Sequence, residues 1–371
     1  MKEKMLGKRI AAGIAAIMTA ATLCACDDLD EYDDYSEEVT SEQTVTSRSE
    51  EVTEALSDRS SESFNGRGSK LNLDSNGEVS ITRLARDNSA PMGDADTWTV
   101  FVYMCGSDLE SENGLAVDDI EEMANAYTGD NVRFVVQTGG STRWNGYDIS
   151  ADSLQRFEVT GGGVYLVDEV SDADMGQEQT LEDFLGWGVQ NYPADKMGVV
   201  FWNHGGGSIT GVCFDEKNEY DSLSLTDLDK AFTSVFDDMT DKFEFVGFDA
   251  CLMATVETAN VLVPHARYMI ASEETEPGRG WDYTEIGRYL DENLGCTGAQ
   301  VGKVAADSFY DSCAASDEEA GATLSVTDLS KIDKLIIAIN NAAASMNGAS
   351  DDSSNLSGMV RSIRKAKNYG G

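Results

Sequence analysis

Imidazole is scarce in this 371-residue chain, which has only two histidines, His204 and His265. Cysteine is hardly more plentiful: there are seven, with no CxxC pair and no Cys/His cluster at zinc spacing, so a structural zinc site is not expected. So few cysteines in so long a chain also argue against a disulfide scaffold. Basic residues are heavily outnumbered, with 27 Lys+Arg against 67 Asp+Glu and a formal net charge of -40. Such a field repels phosphate backbones, which removes nucleic acid from the expected partners; it keeps the chain soluble and concentrates cationic substrates. The longest apolar run near the N-terminus, 10–23, is too short for a membrane span. Internal repeats and EF-hand spacing are missing too.

What is present begins with an export signal. Lys2, Lys4, Lys8 and Arg9 precede the apolar run, and Leu23-Cys24-Ala25-Cys26 resembles the bacterial lipobox. That resemblance implies a lipoprotein signal peptide over 1–25, lipidation of Cys26, and a mature chain anchored to the membrane on the extracytoplasmic side of a bacterial envelope. An ordinary cleaved signal peptide is the alternative. Residues 26–96 are rich in Asp, Glu, Ser and Thr and cannot bury enough apolar surface to offset their ordering entropy, so they read as an acidic disordered tether or a pro-segment. The folded body is expected over 97–371. It ends in Tyr369-Gly370-Gly371 with no closing element, which reads either as a natural tail or as a chain cut short.

From Trp98 onward buried runs alternate with amphipathic stretches, the pattern of an α/β sheet. Apolar runs at 98–104, 132–138, 155–159, 197–203, 243–248 and 268–271 predict strands, several of them central and parallel. Helices are expected at 115–127, 180–191, 225–236 and 252–262. Beyond Trp281 the chain reads as mostly helical, over 299–313, 331–346 and from Asn355, with one short strand at 323–326.

Two of these strands end in reactive residues, and ligands of open α/β sheets bind beyond the carboxyl ends of strands. One delivers His204 followed by Gly205-Gly206-Gly207; glycines let main-chain N–H groups approach a ligand closely, as an oxyanion hole requires. The other delivers Asp249-Ala250-Cys251 into an expected helix, whose N-terminal field favours a thiolate. Alone, each has a plain structural reading, as a Gly-rich turn and a buried cysteine. Together, on equivalent ends of adjacent strands, they suit a Cys/His nucleophilic pair. His265, behind Pro264, reads as an exposed turn residue.

The stretches Val102-Tyr103-Met104-Cys105-Gly106-Ser107-Asp108-Leu109-Glu110, Trp202-Asn203-His204-Gly205-Gly206-Gly207, Phe248-Asp249-Ala250-Cys251-Leu252-Met253 and 272–281 resemble the clostripain family of cysteine peptidases. The resemblance implies a caspase-like α/β fold, a mostly parallel sheet flanked by helices with a helical C-terminal region. It implies an endopeptidase in which Cys251 is the nucleophile, His204 the general acid/base, and the Gly205 and Cys251 amides the oxyanion donors. It further implies protein or peptide substrates cleaved after arginine or lysine, held by an acidic pocket for which Asp249 and Asp282 are the candidates. A helix N-cap is the other reading of Asp249, and a solvated loop charge that of Asp282. Lys217 is the candidate for self-cleavage. Some relatives need calcium, for which Asp94, Asp96, Asp118 and Asp119 are the acids at hand; no metal ligand set is assigned. Two other readings stay open: a surface-anchored binding protein that keeps the fold without catalysis, and a thiol hydrolase of non-peptide amides or esters.

Overall fold

The computed structural model describes residues 64–86, 90–316, 321–350 and 353–365. Cys26 and the rest of the leader lie outside them, as does the end of the chain from 366. Along the chain the strands are β1 (Ser69–Leu73), β2 (Val79–Arg83), β3 (Trp98–Cys105), β4 (Val132–Gly139), β5 (Ser153–Thr160), β6 (Gly163–Ser171), β7 (Lys196–Trp202), β8 (Val212–Asp215), β9 (Asp221–Leu223), β10 (Phe243–Asp249), β11 (Ala266–Ala271) and β12 (Ser325–Asp328). The helices are α1 (Ser107–Asn113), α2 (Leu115–Asn125), α3 (Glu178–Asn191), α4 (Gly207–Thr210), α5 (Leu225–Ser234), α6 (Val256–Leu262), α7 (Tyr283–Glu292), α8 (Gly298–Ala315), α9 (Ile332–Ala349) and α10 (Ser353–Lys365).

Eight strands form one mixed sheet in the order β12-β11-β10-β7-β3-β4-β5-β6. The five central strands, β11, β10, β7, β3 and β4, run parallel, while β12 at one edge and β5 and β6 at the other are antiparallel to their neighbours. β3 is buried along its whole length and shows why. Its side chains alternate between two apolar layers, Phe101 and Tyr103 meeting Phe184 of α3 and Phe232 of α5, and Trp98, Val100 and Val102 meeting Ile120 of α2 and Ile286 of α7. Each such side chain contributes roughly 1.5–3 kcal/mol on full burial. Helix ends are set locally: at α5, Ser224 Oγ accepts from the Asp227 amide while Asp227 accepts from the Ser224 amide, a reciprocal cap.

Two expectations need correction. Within the stretch read as an acidic tether or pro-segment, β1 and β2 pair as an ordered hairpin fastened to the body. Arg83 is buried and reaches Asp333 of α9 (2.5 Å) and both the carbonyl and side-chain oxygens of Asn260 on α6. The Gly68 amide donates to Asp229 of α5 (2.8 Å), and Arg86 lies 3.7 Å above the Phe236 ring. The disordered reading of 64–86 therefore fails: these polar ties act with buried Phe64, Ile81 and Leu84, of which Phe64 and Leu84 pack with Phe236 of the body. His265 is also not an exposed turn residue; it is buried and stacked on Phe232, where burial holds its imidazole below the ordinary range despite nearby Asp229.

Candidate active site

The parallel pairing of β7 and β10 aligns Trp202 with Asp249, and the Asn203 amide extends the ladder to the Asp249 carbonyl (3.3 Å). Two residues past the aligned pair on each chain segment stand His204 and Cys251, so the register brings their backbones to the same end of two adjacent strands. Contact at this point is close. A Cβ on Gly205 would lie 2.1 Å from the Cys251 carbonyl oxygen, which only glycine permits. Among the described residues, the Gly205 and Cys251 amides donate to no other group. Buried Asn203 braces this corner: its Nδ2 donates to the Cys105 carbonyl (2.7 Å) and its Oδ1 accepts from the Phe214 amide (2.7 Å).

Cys251 is not at a helix start, contrary to the expected helix over 252–262. Leu252 has φ 65, a turn intervenes, and α6 begins only at Val256, capped by Thr255. The helix field invoked for the thiolate is replaced by a single backbone donor: the Glu276 amide, 3.3 Å from Sγ. That donor is brought in by loop 272–281, whose carbonyls at Glu274 and Ser272 accept from the Leu252 and Ala254 amides (3.0 and 2.9 Å). Of the five described cysteines Cys251 alone is not buried. Burial raises the thiols of Cys105 and Cys213 well above the ordinary range and that of Cys296 to about 11, leaving them poor nucleophiles.

The imidazole has a partner that the sequence reading did not single out. Asp108, just past β3, lies 2.9 Å from His204 Nε2 through Oδ1. Partial burial raises the Asp108 pKa, but the hydrogen bonds from His204 and Ser107 outweigh this and hold it below the usual carboxylate value. An ionised carboxylate only accepts, so Nε2 carries the hydrogen and Nδ1 is left for proton exchange.

An acidic cavity of about 640 Å³ opens beside loop 272–281, with Asp118, Asp119 and Glu122 of α2 on one wall and Arg279, Gly280 and Asp282 on the other. Asp282 lines it while also capping α7, accepting from the Glu285 amide (2.9 Å). Asp249 stands behind Gly280, its oxygens 3.1 and 3.2 Å from where a Cβ there would be, and accepts from Tyr283 Oη (2.9 Å) and the Trp281 amide (3.3 Å). It is no N-cap. Burial pushes its pKa up to about 6 against those two hydrogen bonds and one shared with Glu276, and burial likewise carries Glu122 to about 7. Asp119, which accepts from the Trp202 indole (2.5 Å), is raised by burial and by Asp249. Glu276 completes the group. The residue is half-buried, but its carboxyl oxygens are out of reach of solvent; burial, and then Asp249, with which it shares a side-chain hydrogen bond, raises it well above the normal range.

Lys217 sits in the turn Glu216–Asn218 between β8 and β9, its Nζ held by the Ala151 carbonyl and by Asp172 (2.6 Å). Among the described residues no three His, Cys, Asp or Glu side chains converge as a metal site, and no helix is long and apolar enough to cross a membrane.

A sequence model described as the Clostripain family matches residues 102–369. The chain belongs to the clostripain family. It is similar to Clostripain of Hathewaya histolytica, 28% identical over 221 residues that make up 50% of this chain and 40% of that protein, so it spans about two fifths of the length of that curated relative. Among solved structures it resembles a secreted C11 cysteine protease from Bacteroides thetaiotaomicron in complex with an irreversible peptide inhibitor (TM-score 0.51, 22% identity, 64% of this chain and 68% of that one). A second structure of a secreted C11 cysteine protease from the same organism, iotapain, gives TM-score 0.51 at 21% identity, covering 66% and 69%. At these identities the likeness is one of fold, the caspase-like α/β architecture expected from the motifs, here with the sheet parallel only at its centre.

Proposed function

We propose that this clostripain-family chain is an extracytoplasmic cysteine endopeptidase that cleaves after arginine or lysine. The observation that carries the reading is the β7–β10 register, which brings the one described cysteine that is not buried to the strand end next to that of His204. Cys251 Sγ gives its proton to His204 and attacks the scissile carbonyl carbon; the carbonyl π pair moves to oxygen, toward the Gly205 and Cys251 amides. His204 returns the proton to the leaving amine as the C–N bond breaks, and a water that it deprotonates then splits the thioester. The acidic cavity supports a basic P1 residue. Asp119 and Asp282 line that cavity and Asp249 stands behind its Gly280 wall with Glu276 beside it, so a guanidinium or ammonium entering there would favour the ionised state of these carboxyls.

Lipid attachment at Cys26 and anchoring to the envelope membrane complete the reading, with Lys217 as the self-cleavage position. Cutting there requires the turn to open and Lys217 to leave Asp172.

The deciding assay is a panel of fluorogenic peptides with Arg, Lys, Asp or Leu at P1, run on the purified protein under reducing conditions. Arg and Lys peptides should turn over, Cys251→Ala should abolish turnover, and Asp249→Asn should lower kcat/KM for the Arg peptide by about 10–100-fold, the worth of one charge-assisted hydrogen bond. Intact mass of the same preparation reads both an acyl chain on Cys26 and a Lys217–Asn218 cut. Folded protein that turns over no peptide, or cleaves Leu and Asp peptides as well as Arg, sinks the assignment.

A further inference from the structure

We propose that Asp108 is a positioning residue for His204, fixing the hydrogen on Nε2 and steadying the protonated ring that forms when Nδ1 takes the Cys251 proton. The proposal rests on the peptidase reading above and extends it to a third strand. β3 pairs with β7 on the side away from β10, Met104 opposite Trp202, so the chain just past β3 arrives beside His204. Three neighbouring parallel strands thus each deliver one polar group to the same corner of the sheet.

Asp108 is held in place more firmly than a surface acid would be. Ser107 before it is fully buried and has φ 49, a left-handed conformation that side-chain-bearing residues rarely adopt, and its carbonyl is pinned by Ser141 Oγ (2.9 Å). From that bent position Ser107 Oγ donates to Asp108 Oδ1 (2.9 Å), the same oxygen that accepts from His204 Nε2 (2.9 Å). Two donors on one oxygen fix the carboxylate's orientation, and the carboxylate in turn fixes the ring's tautomer and plane. The ring edge is further bounded by Phe214, 6.5 Å away and near-perpendicular. The pair is about one-third exposed, 39% for His204 and 31% for Asp108, so a simple surface ion pair would contribute little; the case lies in geometry imposed from the buried side. No proton passes to Asp108 in this scheme. It accepts throughout, while the ring gains its proton at Nδ1 and loses it to the leaving amine. Other titratable groups around the pair are Cys251, the buried thiol of Cys105, and the exposed Tyr220, whose phenol is raised first by Asp108 and then, after burial, by Glu216.

Asp108→Asn keeps shape and removes charge. On the folded variant kcat should fall about 10–100-fold, less than the loss of the acid/base itself, with KM changed less than about twofold. A carboxylate favours the charged ring, so without it the descending limb of the kcat/KM profile should move to lower pH, and iodoacetamide alkylation of Cys251 near pH 6 should slow. Ser107→Gly, which keeps the left-handed backbone accessible and removes the hydroxyl, should lower kcat several-fold and provides a second variant should Asp108→Asn fold poorly. An unchanged kcat, or a fall in kcat with the pH limb and alkylation profile unmoved, overturns the proposal. Wild-type protein that cleaves no peptide while Asp108→Asn still shifts the alkylation profile would sink the peptidase reading and leave this one standing.

Discussion

At Gly205 a hydrogen atom in place of a methyl group lets two strand ends touch. An alanine there would press its Cβ to 2.1 Å from the Cys251 carbonyl oxygen, so the backbone carrying both proposed oxyanion donors has to separate. Gly205→Ala is expected to retain the fold, because the contact lies beyond the paired strands, and to lose about 10²–10³ in kcat, the loss seen when one such donor is removed. Steady-state kinetics with an Arg peptide beside a circular dichroism spectrum checks it; a change under about threefold would show that the close approach is structural only. Asp249 shows the same economy of space. Its oxygens lie 3.1 and 3.2 Å from where a Cβ on Gly280 would be, so a side chain at 280 would stand between the carboxylate and the cavity that Gly280 lines.

The β1–β2 hairpin is held by polar ties to three helices, and Arg83 is its anchor. Arg83→Ala would leave Asp333 and Asn260 without their partner, which should cost about 3 kcal/mol, within the range for breaking a buried pair, and free the hairpin for limited proteolysis before the body unfolds. A thermal melt combined with trypsin digestion and mass mapping reads this; an unaltered melting temperature with an intact hairpin counts against it. The hairpin was hard to read because its alternation, Leu71-Asn72-Leu73 and Val79-Ser80-Ile81-Thr82 about Asn76-Gly77, is short and set among Asp, Glu, Ser and Thr whose composition points to a solvated segment. β6 does carry a short apolar run, Val164-Tyr165-Leu166-Val167, but as an edge strand it leaves Tyr165, Leu166 and Val167 exposed. By contrast β3, β7 and β10 were plain to read, since strands buried on both faces write themselves as apolar runs. His204 and Cys251 followed from those strand ends. Asp108 lay in a matched stretch, but its role depends on β3 being the other neighbour of β7, and strand order is set by crossovers that local sequence does not specify. Glu276 was hidden similarly, because its amide matters to Cys251 only after loop 272–281 folds back.

The whole molecule carries its carboxyl groups at a cost that depends on pH. Asp249 near 6, Glu122 near 7, and Asp119 and Glu276 higher than normal all bind protons more readily folded than unfolded. Their stabilising contribution is complete below the unfolded values of about 4 and is lost as pH rises through the folded ones. His265 works the other way: with its folded pKa depressed, its contribution is full above about 6.5 and declines as pH falls. Four carboxyls outweigh one imidazole, so the melting temperature of the unliganded protein should rise by several degrees from pH 8 to about pH 5.5. Glu276→Gln should flatten that slope; a melting temperature that falls over the same interval contradicts the assignment. The strand arrangement has a further consequence, one of timing. Asp108 and His204 are separated by 96 residues, and the strand ends that carry His204 and Cys251 come together only through the β7–β10 register. A slip of one residue would turn Cys251 to the opposite face. Long-range parallel pairings of this kind form late, after much local structure. On the proposed peptidase reading, a newly made chain therefore carries both reactive side chains yet cuts nothing, and its chemistry starts only when the last central strands lock together.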